Sequence, residues 1–297
     1  MLGSLQLLQP TTIDEACGAL HELGDRAKIY AGGAELLLLM RHRLVTTEVL
    51  VNIKNIAGIN RLAWDGTFLR AGACATHHAL ESSPVVWERA PLFADAESQV
   101  ANVRVRNQGT LGGNLCFNDP HSDPGTVLLV FEASVRLASR RGERRLKLDD
   151  FLLDIYTTAL EPDELLLEVQ IPPLPARMHG SYLRLHRYQR PTLGVAAALK
   201  MNSGNIEQSR LAIGCVGPRP QRLVEIESKV KGTTLTDAEK IIAGQKTYLR
   251  ELLRPVDDLL GSVDYKLYMS CVLLKEALHQ AAQKSDLPLT DSPALRI

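Results

Sequence analysis

The sequence predicts an α+β protein of two domains, and three observations support this prediction. The chain has 297 residues, 45% of them hydrophobic and 23% charged, which suits about two globular domains at roughly 100–200 residues each. Strand and helix patterns are mixed along the whole chain. The Pro- and Gly-rich stretch 172–180, PPLPARMHG, predicts a boundary between domains at residues 1–175 and 176–297.

The first elements form a strand–helix–strand pattern. Residues 12–23 have apolar side chains at helical spacing, and Thr12 and Glu15 form a capping box at the start of this helix. Two short apolar strands, 28–31 and 48–53, flank an apolar helix at about 34–42. This order predicts a small parallel unit over about residues 1–56.

The remaining elements follow from apolar periodicity and turn residues. Before residue 180 they are a strand at 68–75, a helical stretch at 76–96, a hairpin at 133–148 whose basic tip is solvated, and a strand at 164–172. After residue 180 there are three strands with a turn at 202–205, followed by helices at about 219–230, 236–253 and 262–283. Thr236 and Glu239 form a capping box at the start of the second of these helices.

Composition excludes several classes of protein. Lys and Arg total 34 and Asp and Glu total 34, so no general electrostatic attraction to nucleic acid or anionic membranes is expected. The cysteines are odd in number and none lies within twenty residues of another, which argues against a disulfide framework and against a CxxC metal or iron–sulfur site on this chain. No signal peptide or membrane-spanning run is visible, so we expect a cytoplasmic protein.

Two glycine-containing segments suggest an anion site. Gly32 and Gly33, in YAGGAELLLLM (30–40), stand between a strand and a helix, where unpaired N–H groups favour phosphate. The pattern is neither GxGxxG nor a P-loop, and by itself it is explained better by a tight turn with close packing. The second segment, GTLGGN at 109–114, supplies a hydroxyl from Thr110, two unobstructed N–H groups from Gly112 and Gly113, and the Asn114 amide.

Acidic residues follow the second segment. Together the two segments could bind a pyrophosphate from opposite sides. A carboxylate at Asp123 does not suit a phosphate, but it suits ribose or ribityl hydroxyls. Asp119 and Asp123 have an alternative interpretation as turn or N-cap residues ahead of a helix at 124–131.

Five stretches together resemble the flavin-binding medium subunit of the molybdenum hydroxylases, the group that includes xanthine dehydrogenase and carbon monoxide dehydrogenase. They are AGGAEL near 31, RNQGTLGGNLCFNDPHSDP at 106–124, LEPDELLLEVQIP at 160–172, YLRLHR at 182 and GCVGPRP at 214–220. The resemblance implies an FAD-binding domain of the vanillyl-alcohol-oxidase (PCMH) type with subdomains at about 1–56 and 57–175. It also implies a C-terminal domain, 176–297, with a three-stranded antiparallel sheet and a helical bundle.

The resemblance also implies which residues bind FAD. The glycine segments would hold the pyrophosphate, the strand before the first would run beside the adenosine, and Asp123 would bind polyol hydroxyls. The implied FAD-binding residues are Lys28, Ile29, Tyr30, Ala31, Gly32, Gly33, Ala34, Glu35, Val105, Gly109, Thr110, Gly112, Gly113, Asn114, Asp123, Leu166 and Arg184.

The sequence departs from the family at positions expected near the cofactor. Ala34 replaces the hydroxyl residue that often follows the first Gly-Gly pair, and Arg184 replaces a frequent Lys. Pro191 and Thr192 stand where some members carry an aromatic residue that shields the flavin ring. The electron acceptor is therefore not predicted.

Other polar residues receive structural interpretations. Exposed capping at a helix start is expected for His77 and His78, while His121 has an alternative place near the flavin. Cys116 is expected to be a small buried residue rather than a redox thiol. No Ser/His/Asp or Cys/His constellation appears, as expected for a chain whose chemistry belongs to its cofactor.

By resemblance, the chain is an FAD-binding electron-transfer subunit of a heteromeric complex. A large partner would carry the molybdenum cofactor and a small partner two [2Fe–2S] clusters, in a dimer of heterotrimers. NAD, a quinone, a ferredoxin or oxygen would accept the electrons. Two alternatives remain: a stand-alone oxidase or reductase of the same fold, and a non-enzymatic module that has lost its cofactor.

Overall fold

The computed structural model describes residues 5–186 and 190–285. The chain begins with a three-stranded parallel sheet in the order β1–β3–β2, as the strand–helix–strand pattern predicted. The carboxyl ends of its strands meet at one edge, where ligand-binding loops of parallel sheets lie. The elements of this unit are β1 Gln6–Leu8, α1 Ile13–Leu23, β2 Ala27–Tyr30, α2 Leu36–Arg41 and β3 Val49–Asn52.

The capping box at the start of α1 is confirmed. Oγ1 of Thr12 accepts the N–H of Glu15 at 3.2 Å, and Oε2 of Glu15 accepts the N–H of Thr12 at 3.3 Å. The helix buries Ala16, Cys17 and Leu20 on one face, as its apolar spacing predicted.

The second unit is a five-stranded antiparallel sheet in the order β4–β5–β10–β6–β7. The predicted hairpin at 133–148 and the strand at 164–172 are confirmed by three of these strands, and a small hairpin, β8 with β9, lies between them. The strands are β4 Leu62–Trp64, β5 Leu69–Gly72, β6 Ser134–Ser139, β7 Gly142–Lys147, β8 Leu152–Asp154, β9 Thr157–Thr158 and β10 Leu165–Ile171.

The helices of this unit are short. Residues 76–96, predicted as helical, form three helices because Pro84 and Pro91 each begin a new one. The helices are α3 His77–Ser82, α4 Pro84–Arg89, α5 Pro91–Ser98, α6 Val103–Gln108, α7 Leu111–Phe117, α8 Asp123–Val130 and α9 Leu148–Phe151.

The C-terminal part is an antiparallel sheet covered by helices. The three predicted strands and the turn at 202–205 are present in the described residues, and a short fourth strand extends the sheet to β11–β12–β13–β14. The end of the predicted first strand, residues 187–189, lies outside the described residues. The elements are β11 His179–His186, β12 Pro191–Asn202, β13 Asn205–Gly214, β14 Gln221–Arg222, α10 Val224–Val230, α11 Leu235–Ala243, α12 Lys246–Leu253 and α13 Val263–Ser285.

Two helix predictions in this part are wrong in detail. The helix predicted at 236–253 is divided into α11 and α12 at Gly244. Its N-cap is Thr234, whose hydroxyl accepts the N–H of Asp237 at 3.2 Å, so Thr236 lies inside the helix and forms no capping box. The helix predicted from residue 219 begins only at Val224, because Gln221 and Arg222 pair with β13 as the strand β14.

Hydrophobic side chains form two cores. The first fills the space between the five-stranded sheet and the helices around Phe93, Phe131 and Phe151. The second lies between the C-terminal sheet and the long helix α13, around residues such as Leu193 and Leu274. Within the described residues, no helix combines the length and hydrophobicity that crossing a bilayer requires.

Candidate functional site

The first glycine segment is the loop 31–35 between β2 and α2, at the carboxyl edge of the parallel sheet. Gly33 has a φ of +77°, a backbone angle that residues other than glycine rarely adopt. Within the described chain, the N–H groups of Gly32, Gly33, Ala34 and Glu35 donate to no protein acceptor. The predicted row of unpaired donors is therefore present.

The second glycine segment runs antiparallel to residues 73–77. The N–H of His77 donates to Gly109 O at 3.1 Å, and the N–H of Leu111 donates to Ala75 O at 2.9 Å. Gly112 is required for this close approach, because a Cβ there would lie 2.7 Å from Cβ of Ala73. The segment is thus fixed to the residues that connect β5 to α3 and to the start of α3.

The prediction that Gly112 and Gly113 offer unobstructed N–H groups is wrong. Gly112 donates to Ala73 O at 2.9 Å, and Gly113 donates to Oγ1 of Thr110, the N-cap of α7, at 3.1 Å. The cap and the neighbouring strand satisfy donors that the start of a helix would otherwise leave free.

The second segment keeps two side-chain donors. The Thr110 hydroxyl hydrogen and Nδ2 of Asn114 have no acceptor within the described chain, and Oδ1 of Asn114 accepts from Oγ of Ser122 at 2.5 Å. One side of Gly113 is open, since a Cβ there would meet only Oγ1 of Thr110 within 4 Å. A ligand can therefore approach the backbone at Gly113 closely.

The two glycine segments are in direct contact. A Cβ at Gly32 would overlap the carbonyl oxygen of Gln108, and it would lie 3.2 Å from Cα of Gly109. Segments separated by more than seventy residues of sequence are therefore neighbours in space, as a site built from both requires.

A lysine that sequence reasoning missed supports the first segment. Nζ of Lys54 donates to Ala31 O at 2.9 Å and lies 3.5 Å from the centroid of the Tyr30 ring. Burial lowers the pKa of Lys54. Lys54 is the second residue after β3, so its place at the carboxyl edge of the parallel sheet was the available signal. Of the other predicted residues nearby, Lys28 and Ile29 lie in β2.

Asp123 lies in a buried polar cluster. Its Oδ1 accepts from the Tyr182 hydroxyl at 2.5 Å, and its Oδ2 is 3.4 Å from Nη1 of Arg184. Arg184 also donates to Gln99 O. Burial, together with the nearby carboxylate, raises the pKa of Tyr182 well above its ordinary value of 10. Asp123 is the first residue of α8, while Ser122 occupies the N-cap position.

The remaining predicted residues support the second segment or the core. The carbonyl of Val105 accepts the N–H of Gly109 at 2.6 Å. Leu166 is buried in β10. Oδ1 of Asp119 accepts the N–H of His121 at 2.8 Å, which is the turn role that its alternative interpretation gave. Cys116 is half-buried rather than buried as expected, and desolvation raises the pKa of its thiol to about 12.

The two adjacent histidines differ. His78 is exposed, with Nδ1 2.8 Å from Oε1 of Glu81. His77 is buried, so the expectation of an exposed capping residue is wrong for it; Thr76 is the N-cap of α3. Packing of α3 against α5 covers the His77 ring, a tertiary contact that local sequence does not reveal.

A separate cleft of about 470 Å³ lies beside the five-stranded sheet and contains no residue of either glycine segment. Its acidic groups, Asp65 and Glu168, are both ion-paired with Arg70. In the part of the chain that the structure describes, no three His, Cys, Asp or Glu residues are grouped as metal ligands. The candidate site is therefore the contact of the two glycine segments.

Comparison with known proteins identifies the family of the chain. Residues 3–174 match the family described as the FAD binding domain in molybdopterin dehydrogenase, and residues 183–281 match the CO dehydrogenase flavoprotein C-terminal domain. The chain is 31% identical to the carbon monoxide dehydrogenase medium chain of Hydrogenophaga pseudoflava, over 92% of this chain and 95% of that one. It is 30% identical to the nicotine 6-hydroxylase medium subunit of Paenarthrobacter nicotinovorans, over 96% and 99%.

Solved structures share the fold. Carbon monoxide dehydrogenase from Hydrogenophaga pseudoflava, in a form lacking the Mo-pyranopterin moiety, superposes with a TM-score of 0.90 at 30% identity, covering 96% of this chain and 99% of that one. Quinoline 2-oxidoreductase from Pseudomonas putida 86 superposes with a TM-score of 0.88 at 27% identity, covering 97% of this chain and 100% of that one.

Fold and site together define the class of protein: an α+β flavoprotein component of an oxidoreductase. Within that class, the chain belongs to the family of FAD-binding medium subunits of the molybdenum hydroxylases.

Proposed function

We propose that the chain is the FAD-binding electron-transfer subunit of a heteromeric molybdenum hydroxylase, passing electrons from [2Fe–2S] clusters of a partner subunit to an external acceptor. The observation that carries this proposal is the contact of the two glycine segments beside a row of unpaired N–H groups. When bound, FAD supplies the redox chemistry; the chain's own residues bind it and orient it.

The residues at the contact fit a dinucleotide. Main-chain N–H groups of residues 32–35 are free to donate to a diphosphate, and the Thr110 hydroxyl and the Asn114 amide add side-chain donors. The open side of Gly113 leaves room for close approach of an oxygen atom. We propose that these residues hold the diphosphate.

Asp123 and Arg184 are part of the proposed site, although they lie outside the two glycine segments. Their buried cluster with Tyr182 connects α8 to β11, so the carboxylate is held at a fixed place at the start of α8. We propose that Asp123 receives polyol hydroxyls there. The other predicted residues act beside them: Lys28, Ile29 and Tyr30 along β2, Val105 and Gly109 behind the second segment, and Leu166 in β10.

The proposed partners are a large subunit with the molybdenum cofactor and a small subunit with two [2Fe–2S] clusters, as a dimer of heterotrimers. Relatives named as medium chains or medium subunits support such a complex. The wide spacing of the five cysteines supports the proposal that the clusters lie on another chain. The division of the chain at residue 175 and its cytoplasmic location also stay predictions.

Affinity purification of the tagged full chain from its native host tests the function. We expect a yellow complex with absorbance near 450 nm and two further chains, one carrying molybdenum and one carrying iron and sulfide. A yellow chain that purifies alone and turns over a substrate would instead identify a stand-alone flavoenzyme. A colourless chain that takes up no added FAD would refute the flavin assignment.

A further inference from the structure

A buried pair, His77 and Glu97, lies behind the second glycine segment. Nδ1 of His77 is 2.6 Å from Oε2 of Glu97, and the two side chains are 3% and 0% exposed. His77 begins α3, and Glu97 lies near the end of α5, so the pair joins these two helices. The proposed FAD contacts do not include either residue.

The other edge of the His77 ring faces Gly109. A Cβ at Gly109 would lie 3.1 Å from Cδ2 and 3.5 Å from Nε2 of the ring. The backbone of His77 also donates its N–H to Gly109 O at 3.1 Å. One residue thus contacts Gly109 through both its backbone and its side chain.

Gly109 lies at the contact between the two glycine segments. It follows Gln108, whose carbonyl oxygen packs against Gly32, and its own Cα is close to Gly32 as well. A shift of Gly109 by a fraction of an ångström would therefore change how closely the two segments approach. The atoms of residues 108 and 109 that face Gly32 belong to the backbone and cannot rotate away as a flexible side chain would.

The buried His77–Glu97 pair lowers the stability of the fold. Oε1 of Glu97 is buried and has no hydrogen-bond partner among the described residues. An unpaired carboxylate oxygen away from water is unfavourable, and two apolar side chains of similar size would avoid this penalty. A carboxylate that accepts from one ring nitrogen does, however, fix the orientation of a histidine, which apolar packing does less well.

We propose that His77, oriented by Glu97, is a positioning residue that fixes Gly109 and holds the second glycine segment against the first. This inference rests on the proposed function, because FAD binding is what the fixed segment would serve. The pair itself touches no part of the cofactor in this proposal. Its loss should loosen residues 105–114 and weaken FAD binding.

The variant His77→Asn separates the two contacts of the ring. Its amide nitrogen can take the place of Nδ1 and donate to Glu97, whereas the ring edge against Gly109 is lost. His78→Asn is the matched control, since it makes the same change at the next residue, where the side chain is exposed and pairs with Glu81 at the surface. Both are made in the full-length chain.

Two measurements are made on each protein: amide hydrogen exchange of the FAD-free chain, and the dissociation constant for added FAD. For His77→Asn we expect exchange within 105–114 to be about tenfold faster and the dissociation constant to be about tenfold higher, equivalent to one weakened contact. Exchange elsewhere, and both values for His78→Asn, should match the wild type.

Glu97 provides an independent comparison if His77→Asn does not fold. Glu97→Gln keeps an oxygen that accepts from His77 and should retain slow exchange at 105–114, whereas Glu97→Leu removes the acceptor and should accelerate it. Unchanged exchange at 105–114, or exchange raised equally along the whole chain, would overturn the positioning role. If wild-type protein takes up no FAD, the proposed function fails, while the exchange data still decide whether the pair positions the segment.

Discussion

Glycine serves different purposes at neighbouring positions of the candidate site. Gly33 has a backbone conformation that other residues rarely adopt. Gly32 and Gly112 leave no room for a Cβ beside Gln108 and Ala73, respectively. Gly113 instead has an open side, which suits a ligand rather than a protein neighbour. The residue type was visible in the sequence, but its purpose depends on what packs against each Cα.

The sequence predicted that two glycine segments would lie together, and the structure shows their contact, but the sequence did not predict which N–H donors would be free. Ala73 and Ala75 accept the N–H groups of the second segment from more than thirty residues away in sequence. Glu97 covers His77 from a separate helix in the same way. Such pairings depend on tertiary packing, and no local pattern in a single sequence contains them.

Asp65, at the turn between β4 and β5, provides a prediction about pH. Its carboxylate accepts the N–H groups of Phe68 and Thr67, both at 2.8 Å, and pairs with Arg70 at 2.5 Å. These bonds lower the pKa of Asp65 from 3.8 to about 2. Because the pKa is lower in the folded chain, the carboxylate stabilises the fold above pH 3.8, and this stabilisation is lost as the pH falls through about 2.

We expect Asp65→Asn to melt at a lower temperature than the wild type at neutral pH, with the difference shrinking as the pH falls from about 5 to about 2. Asparagine keeps an oxygen acceptor for the turn but does not titrate. Thermal melting followed by circular dichroism across this pH range measures the difference. Asp25→Asn, at an exposed position, is the control. A melting difference that stayed constant over the whole range would contradict the proposed linkage.

At the scale of elements, the candidate site depends on the contact between the β2–α2 loop and the end of α6. Gly32→Ala should separate these elements, because the new Cβ would overlap the carbonyl oxygen of Gln108, a backbone atom that cannot rotate away. We expect FAD affinity to fall at least about tenfold, measured by titration of the FAD-free protein. Gly18→Ala, in α1, is the control, since no atom lies within 4 Å of its new Cβ. Equal affinities for the two variants would refute the proposed role of the contact.

The two predicted capping boxes show where element boundaries can and cannot be predicted. Thr12 with Glu15 matches the pattern and caps α1. Thr236 with Glu239 matches it equally well, but Thr234 is the N-cap of α11 because it forms a bridge with Asn205. That contact holds Thr234 in the extended conformation that an N-cap requires. A contact to another strand thus decided between two equivalent local patterns.

At the scale of the whole molecule, β12 connects the two cores. Leu193, Val195 and Leu199 face the second core, whereas Ala196 and Ala198, on the other face, pack in the first. The alternation of large and small residues in LGVAAAL was visible in the sequence. It predicted a strand, but what the small face would pack against depended on the position of α8, which the sequence did not reveal.

The same junction contains a polar link, because Asp123 belongs to α8 and its hydrogen-bond donor Tyr182 belongs to β11. Tyr182→Phe removes that donor and leaves Asp123 its ion pair with Arg184. We expect the free energy of unfolding to fall by about 1.5–3 kcal/mol, the range for a hydrogen bond to a charged group. Urea unfolding of the full chain measures it, with Tyr268→Phe at an exposed position as the control. If both variants are equally stable, the Tyr182 hydroxyl contributes nothing measurable to stability, and the junction between α8 and β11 does not depend on this hydrogen bond.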